Sequence, residues 1–589
     1  MSKAYLAEFA SPSSEYRGAP FWAWNGKLEP EELRRQIRLM HRMGLGGFFM
    51  HSRVGLDTPY LGRQWMDGIA ACIDEAEKLD MQAWLYDEDR WPSGAAGGLV
   101  TKDPRYRQKR LLVHRYDKAA DFAWSKDVLA AYTATIRGNR ACDVRRLARG
   151  RKPSRLAEGQ SLVAFCIEVA EPSSWYNGYT YLDVLSHEAV RRFIQVTHDA
   201  YRKEFAKDFG GRVPGIFTDE PQHTRYSRGP ADGAEGCLPW TDKLASVFRK
   251  RYGYDLLDRL MEVLYEREDG LPATARYHYH DCTTFLFVDA FSRQIGQWCQ
   301  KNNLLHIGHV LAEGSLAGQT SAVGACMRFY EYMQAPGMDL LTEYSREYDT
   351  AKQVSSVARQ FDRKWRLTET YGCTGWDFNW AGHKALGDWQ AALGINLRCQ
   401  HLAWYTMEGE AKRDYPAGIF YQSPWWEHYA RVEDYFARVH VAMSRGREVR
   451  DVLVIHPVES MWMLFGEDMK DERMVLETSF WQLRDSLLGA NIDFDYGDEE
   501  MLSRHGGVRR KADGPALRLA KAEYRVVVVP PMLTIRRSTL KLLAAFRRAG
   551  GTVVFAGTPP TWVDAEASDE AVRAAAECTR TPARGEKLV

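Results

Sequence analysis

Residues 81–98 read Met-Gln-Ala-Trp-Leu-Tyr-Asp-Glu-Asp-Arg-Trp-Pro-Ser-Gly-Ala-Ala-Gly-Gly. An apolar run, Ala83 to Tyr86, breaks into three consecutive acids, Asp87, Glu88 and Asp89, and then into a tryptophan and a Pro-Ser-Gly turn. Adjacent carboxylates repel, so a strand that ends in them ends at a site. The arrangement returns. Residues 213–218 run into Asp219-Glu220-Pro221, and the short run at 365–369 ends at Glu369. Acids at the ends of several successive strands predict a (β/α)8 barrel, the TIM-barrel fold of many enzymes.

The rest of the chain fits that frame. Pro20–Trp24, Gly46–Met50 and 82–86 read as strands, separated by helices near 29–43 and 65–79, a βαβαβ order that implies parallel pairing. The rhythm then breaks. Lys109–Tyr116, Ala130–Ile136 and Ser161–Val169 alternate with period two and predict a β-rich insertion after strand three, at about 101–185. Residues 137–160 inside it are basic and helix-breaking, with no assignable element. A helix over 186–209 resumes the barrel. Strand four is placed at 213–218, five at Leu304–Leu311 ending near Glu313, six around Met338–Thr342, seven at 365–369 and eight at about Gln400–Tyr405. The barrel is thus expected over residues 1–450. Short apolar strands at Asp451–His456, Ile492–Tyr496, Arg525–Pro530 and Thr552–Ala556, separated by helices, predict a doubly wound flavodoxin-like α/β domain over 451–589. Its polar tail, 565–589, reads as frayed. It has no G-x-G-x-x-G or P-loop glycine pattern, so nucleotide binding has no support.

Composition narrows the partners. Among 589 residues, 79 Lys+Arg face 78 Asp+Glu for a net charge of +1, which argues against nucleic acid or another polyanion. The ten cysteines form no C-x-x-C pair, so a structural zinc site is not expected and reduced core thiols are. The N-terminus has no apolar leader core and no window approaches a membrane span, which together predict a soluble cytoplasmic protein with no membrane partner. Nineteen tryptophans are many. Core packing accounts for most, while Trp24, Trp91, Trp376 and Trp404 are candidates for stacking on a sugar.

Glycoside hydrolysis needs one carboxyl that gives a proton to the leaving oxygen and another that attacks or activates water. Glu220 at strand four and Glu369 at strand seven face one another across an eight-strand barrel and are the candidate catalytic pair. Asp219-Glu220-Pro221 could instead cap the next helix. Asp87, Glu88 and Asp89 could pair with Arg90, Arg53 and Lys102 as a structural knot. They could equally hold sugar hydroxyls or a hard cation such as Ca2+. Neighbours on a strand alternate faces, so the three cannot all enter a cleft. Glu88 is the expected sugar-facing group, with Asp87 turned toward the rim. His51, His309 and His401 each follow strand-like runs and serve equally as hydrogen-bonding rim residues or catalysts.

These stretches match a known family. Pro20-Phe-Trp-Ala-Trp-Asn-Gly26, Gly46-Gly-Phe-Phe-Met-His-Ser-Arg-Val-Gly55, Trp84-Leu-Tyr-Asp-Glu-Asp-Arg-Trp-Pro-Ser-Gly94, Phe217-Thr-Asp-Glu-Pro221 and Trp404-Tyr405 through Lys412-Arg-Asp414 resemble glycoside hydrolase family 106, the α-L-rhamnosidases and their relatives. The resemblance spans most of residues 18–450. It implies a (β/α)8 barrel, an inverting glycosidase and two glutamates as acid and base, carried over to Glu220 by its motif and to Glu369 by strand position. On that reading the glycone contacts come from His51, Arg53, Asp87, Glu88, Trp24, Asp219, His309, Glu313, Trp376 and Trp404. Some members are linked to calcium, which makes Ca2+ a candidate cofactor without assigned ligands. The 451–557 segment resembles the flavodoxin-like domain of family 42 β-galactosidases, which helps build oligomers there and so implies a homo-oligomer here. Family 106 members usually carry further C-terminal β-sandwich domains, which this sequence lacks. The rival readings are a retaining family 42-like glycosidase and a catalytically inactive barrel that binds carbohydrate.

Overall fold

Strand-forming stretches that are apolar on both faces can only be satisfied by a sheet covered on both sides. The computed structural model, which describes residues 3–223, 236–269, 274–466 and 468–584, shows that sheet closed into a barrel. Its parallel strands are, in order, Phe21–Trp24, Gly47–Ser52, Gln82–Tyr86, Gly215–Thr218, Leu305–Gly308, Ala335–Leu340, Leu367–Thr370 and a last run in two pieces, Leu397–Gln400 and Ala403–Trp404. Each run pairs with the next, and the eighth closes on the first through Trp22↔Ala403 and Ala23↔Trp404. The fold is a (β/α)8 barrel.

Local chemistry sets the elements. Pro30 opens the helix Pro30–Arg42, Glu31 and Glu32 in its first turn complement the helix dipole, and Leu33, Ile37 and Met40 form its buried stripe. It ends before Gly44, whose φ of +77 a side chain would resist. In the strands, alternation divides the side chains. Phe21, Phe49, Trp84, Tyr86, Phe217, Ile307 and Leu367 belong to one cluster that fills the barrel. Trp22, Trp24, Phe48, Met50, Leu85 and Ile216 belong to another, shared with the surrounding helices.

Several elements differ from the sequence reading. The helix expected over 186–209 is two, His187–Val196 and His198–Phe205, broken at Thr197, whose hydroxyl turns back to the Phe193 carbonyl. The insertion is a five-stranded antiparallel sheet. It holds Arg140–Arg146, from the stretch left unassigned, as an edge strand, and recruits Gly236–Trp240 from beyond barrel strand four. The C-terminal sheet has the order Phe494–Gly497, Val452–Ile455, Val526–Val529, Thr552–Ala556, Thr579–Thr581, the flavodoxin-like 2-1-3-4-5 arrangement. Its fifth strand lies in the tail that read as frayed. It is short and polar in sequence and gains order only by pairing with residues 554–556. No helix among the described residues is long and apolar enough to cross a membrane.

The flavodoxin-like unit is fastened to the barrel by buried charge. Arg328, on the short helix Cys326–Tyr330, reaches Asp281 of a barrel helix at 3.2 Å, Asp498 of the C-terminal unit at 2.9 Å, and Glu459. Arg536 joins Glu459 and Asp281, and Tyr277 donates to Glu459. Three guanidiniums, Arg536, Arg328 and Arg251, draw the Asp281 carboxyl well below the usual carboxylate range despite its burial. A second knot joins Arg450, Arg359 and Lys352 to Asp493 and Asp495. Breaking a buried pair by removing one partner typically costs about 3–5 kcal/mol. Arg328→Met should therefore lower the melting temperature strongly, and calorimetry of the wild-type protein should show barrel and C-terminal unit melting in one transition. Two separate transitions would contradict a shared core.

Candidate active site at the carboxyl end of the barrel

The alternation that packs the barrel also builds its mouth. Two residues beyond an inward-facing side chain the next one also points inward. Phe49 leads to His51, Phe217 to Asp219, Ile307 to His309, Gly337 to Asp339, Leu367 to Glu369 and Cys399 to His401. Six polar residues thus form a layer above the apolar filling, at the strand ends where barrel enzymes place their chemistry. Strand register sets Asp339 directly beside Glu369.

The layer is knit closely. His309 Nε2 lies 2.8 Å from Glu369 Oε2 and 3.6 Å from Asp219 Oδ1. His401 Nε2 is 3.9 Å from the other Glu369 oxygen. Tyr86 donates to Asp219 Oδ2 at 2.6 Å, and His51 stacks on the Tyr86 ring at 4.0 Å. Arg53 lies 3.2 Å from His51 Nε2 and is clamped by Asp414 through two hydrogen bonds of 2.8 and 2.7 Å. Its guanidinium sits 4.1 Å from the Trp91 ring centroid. Burial, Arg53 and His401 push His51 well below the usual histidine range, and burial and Arg53 do the same to His401, so both rings are neutral.

Five carboxyls in this region are held above their ordinary range. Burial raises Asp219, against the pull of His309, Tyr86 and Arg53. Burial followed by Glu369 raises Asp339. Burial and then Asp219 raise Glu369, while Arg53 opposes. Glu220, half-buried with a left-handed φ of +47, is raised by burial and then by Asp219, Asp339, Glu369 and Glu313. Its neighbours are all like charges. Glu313 lies beside this layer, accepting from the Tyr330 hydroxyl at 2.7 Å and the Asp339 amide at 2.8 Å, and burial pushes it up to about 8. Buried polar groups usually find a partner. Yet Asp339 Oδ1 and the Nδ1 atoms of His51, His309 and His401 have none among the described residues. A polyhydroxylated ligand would satisfy such atoms.

The triple acid is used differently from the expectation. Glu88 does not meet the mouth as a free carboxylate. It accepts four backbone amides, those of Asp89 at 2.9 Å, Gly94 and Ala96 at 2.8 Å and Gly97 at 2.5 Å. The strand has already curled into its turn at this point, so the alternation that would aim Glu88 inward no longer applies. Asp87 accepts from Ser93 at 2.5 Å and Thr218 at 2.6 Å, and Ser93 accepts in turn from the Asp219 amide at 2.8 Å. Asp89 takes Ser52 and Asn177. The three acids brace the loop that carries Trp91 and fix the backbone of Asp219. Trp24 and Trp404 also depart from expectation. Both are fully buried, Trp24 edge-on to Trp65 outside the barrel and Trp404 in the barrel filling, so neither offers a face to a sugar. Trp376 is 44% exposed and donates its indole N–H to the Lys412 carbonyl. Asp339, read as part of strand six, Tyr86, Asp414, and Tyr415, whose ring lies beside Arg53 and His401, were not among the site candidates of the sequence reading. Counting in twos from the apolar residues would have found Asp339, but the contacts from Asp414 and Tyr415 arise only from loop folding.

The alpha-L-rhamnosidase model of glycoside hydrolase family 106 matches residues 170–578, well over half of the chain. The chain belongs to glycoside hydrolase family 106. The structure of this family 106 chain is similar to that of a rhamnosidase from Novosphingobium sp. PP1Y, with a TM-score of 0.67 and 15% identity over 97% of this chain and 71% of that one. It also resembles a GH42 β-galactosidase from G. stearothermophilus, with a TM-score of 0.56 and 12% identity over 94% and 74% of the two chains. At these identities the likeness is one of fold. A putative β-glucuronidase of Formosa agariphila is 26% identical over 231 residues, 37% of this chain, and the match spans only 19% of that protein's length.

If Glu88 holds the turn and not a sugar, Glu88→Gln sets an amide N–H2 against backbone donors. Leaving such groups unsatisfied costs about 1–3 kcal/mol. The melting temperature should fall, while kcat and KM of the folded enzyme stay close to wild type. A raised KM at unchanged stability would return Glu88 to the substrate.

Proposed function

We propose that this chain is a glycoside hydrolase that removes a terminal deoxy-hexose, of the α-L-rhamnoside class, with Glu220 as general acid, Glu369 as base and inversion at the anomeric carbon. The observation that carries the assignment is the opposite company the two acids keep. The neighbours that act on Glu220 are all acids, which favours its protonated form and suits a proton donor. Glu369 has the hydrogen bond with His309 at 2.8 Å and the opposing pull of Arg53, which favour the ionised form that activates water. As the glycosidic bond breaks, Glu220 protonates the leaving oxygen and Glu369 takes a proton from the attacking water. The imidazoles of His51, His309 and His401 would meet sugar hydroxyls through their unpartnered nitrogens. Arg53, fixed by Asp414 and Trp91, supplies the positive potential that keeps this many carboxyls together. Family membership supports the sugar class.

Asp219, His309 and Glu369 offer one ligand atom each within 4.8 Å of one another and could hold a divalent cation. Calcium is a poor match for that trio, because it takes about 6–8 oxygen ligands and one of these three donors is an imidazole nitrogen. No step here runs through a metal. Within the trio the hydrogen bond between His309 and Glu369 orients Glu369, with Asp219 3.6 Å from the same ring nitrogen.

Proton NMR of the first product from an aryl α-L-rhamnoside tests the reading, the expected product being the β-anomer. Retention would move Glu369 to the role of nucleophile, and no turnover across an aryl-glycoside panel would overturn the hydrolase. Glu220→Gln should lower turnover of substrates with poor leaving groups by about 10²–10⁴-fold and spare activated ones. In the pH profile of kcat/KM, rate is lost as pH falls through the base and as it rises through the acid. Both groups are raised, so both limbs should lie above the usual carboxylate range, and Glu220→Gln should remove the upper one. Equal loss on both substrate types would exclude Glu220 as the acid.

A further inference from the structure

The stretch that the sequence reading could not assign carries the largest local charge imbalance noted in this chain. Residues 137–160 hold seven arginines and one lysine against two acids, Asp143 and Glu158, within a protein whose net charge is +1. In the structure they form the outer edge of the insertion, the edge strand Arg140–Arg146 and the loop after it. Arg146 pairs with Asp258, and Arg149 and Lys152 turn back to main-chain carbonyls. The other five, Arg137, Arg140, Arg145, Arg151 and Arg155, are exposed, and their guanidiniums make no hydrogen bond or ion pair among the described residues.

Two features set this edge apart from an ordinary solvated face. Arg137 and Arg140 sit directly opposite one another across the hairpin, where like charges are destabilising, and neither forms an ion pair with an acid among the described residues. At the same end of the sheet, where the loop after the edge strand returns, lies a groove of about 560 Å³ lined by Arg115, Lys118, Arg155, Ser154 and Ser161, with one acid, Asp117, beside Arg115. Seven of the eight cations are arginines, whose planar forks match carboxylate and sulfate oxygens in pairs. The stretch holds no aromatic residue. Trp124 lies against it, its indole N–H donating to the Arg151 carbonyl, but one ring is not the succession of stacking platforms that single-stranded nucleic acid binders use.

We propose that this edge and groove form a docking surface for an anionic polysaccharide bearing carboxylate or sulfate groups, the polymer from which the barrel removes its terminal sugar. The polysaccharide identity rests on the hydrolase reading above, whereas the anion-binding surface does not. The overall charge balance excludes a protein basic throughout but not a basic edge on a neutral one.

The test is affinity electrophoresis of the full chain in gels containing dextran sulfate, polygalacturonate or unmodified dextran, beside the variant Arg137→Glu/Arg140→Glu/Arg151→Glu. The wild type should be retarded by both anionic polymers in a salt-sensitive way and pass neutral dextran freely. The variant should bind at least about tenfold more weakly, as expected when several ion contacts are lost together. Its melting temperature should stay close to that of the wild type, since Arg137→Glu with Arg140→Glu exchanges one exposed like-charge pair for another. Its turnover of a small aryl glycoside should be unchanged, because none of the three residues belongs to the mouth. Undiminished retardation of the variant, or none of the wild type, would overturn the docking surface. Stronger retardation by duplex DNA would overturn the polysaccharide assignment. Small-glycoside turnover reads the hydrolase independently, so its loss and the loss of retardation are separate failures.

Discussion

Crowding of carboxyls out of water is the constraint on which this structure turns. Asp219, Glu220, Asp339, Glu369 and Glu313 lie at one end of the barrel, and their opposing groups there are chiefly Arg53, His309 and Tyr86. Such a group stays together only by holding protons, by hydrogen bonding, or by keeping a cation rigidly in place. All three occur. Glu220 and Asp339 are driven toward the protonated form. Asp219 and Glu369 share His309. Arg53 is held by Asp414, by His51 and by the Trp91 face. Positive charge is divided unequally among them: Arg53 opposes the rise of Asp219 and Glu369, while the neighbours that raise Glu220 are acids.

That mouth needs a stiff support, and part of it is supplied from outside the barrel. The helix Leu316–Ala322 follows the segment that carries His309 and Glu313, and its first amides are capped by Glu477 of the flavodoxin-like unit at 2.8 and 3.1 Å. Trp462 of the same unit donates to the Gly324 carbonyl at 3.0 Å. The buried pairs around Arg328 and Arg450 hold the two units in register. Ionic groups this deeply buried contribute little net stability against an apolar alternative, but they tolerate only one arrangement. The flavodoxin-like fold, which has no nucleotide loop, acts here as a buttress for the loops of the barrel.

The triple acid shows how one motif divides its labour. Its position at a strand end follows from barrel topology, and its identity as acid follows from the loop it must tie down. Glu88 gathers the Asp89 amide and three amides of the Gly94–Gly97 turn, where Gly94, Gly97 and Ala96 all have positive φ and no neighbouring strand could satisfy them. Asp87, through Ser93, fixes the amide of Asp219. The loop so fixed presents Trp91 to Arg53. A stretch that looks catalytic in sequence is structural one step away from the chemistry.

Barrel class, strand order and the candidates Glu220, Asp219, His309 and Glu369 were legible in the sequence, because strand ends, helix starts and period-two alternation are local properties that neighbouring residues write directly. The flavodoxin-like order was legible for the same reason, down to its four apolar strands. The fifth strand was not, since Thr579–Thr581 has no apolar pattern and is ordered by pairing alone. The rank of Trp24 and Trp404 was not, because a tryptophan at a strand end is the same letter whether it faces helix, filling or cleft. Nor were Asp339 beside Glu369, Asp414 on Arg53 or Glu88 in its nest of amides. Each depends on register between strands or on loops returning from hundreds of residues away. The sequence by itself determined which residues could carry charge to the barrel's end. Only the tertiary structure decided which of them share a cation, and in a medium with little water that sharing sets which carboxyl keeps its proton.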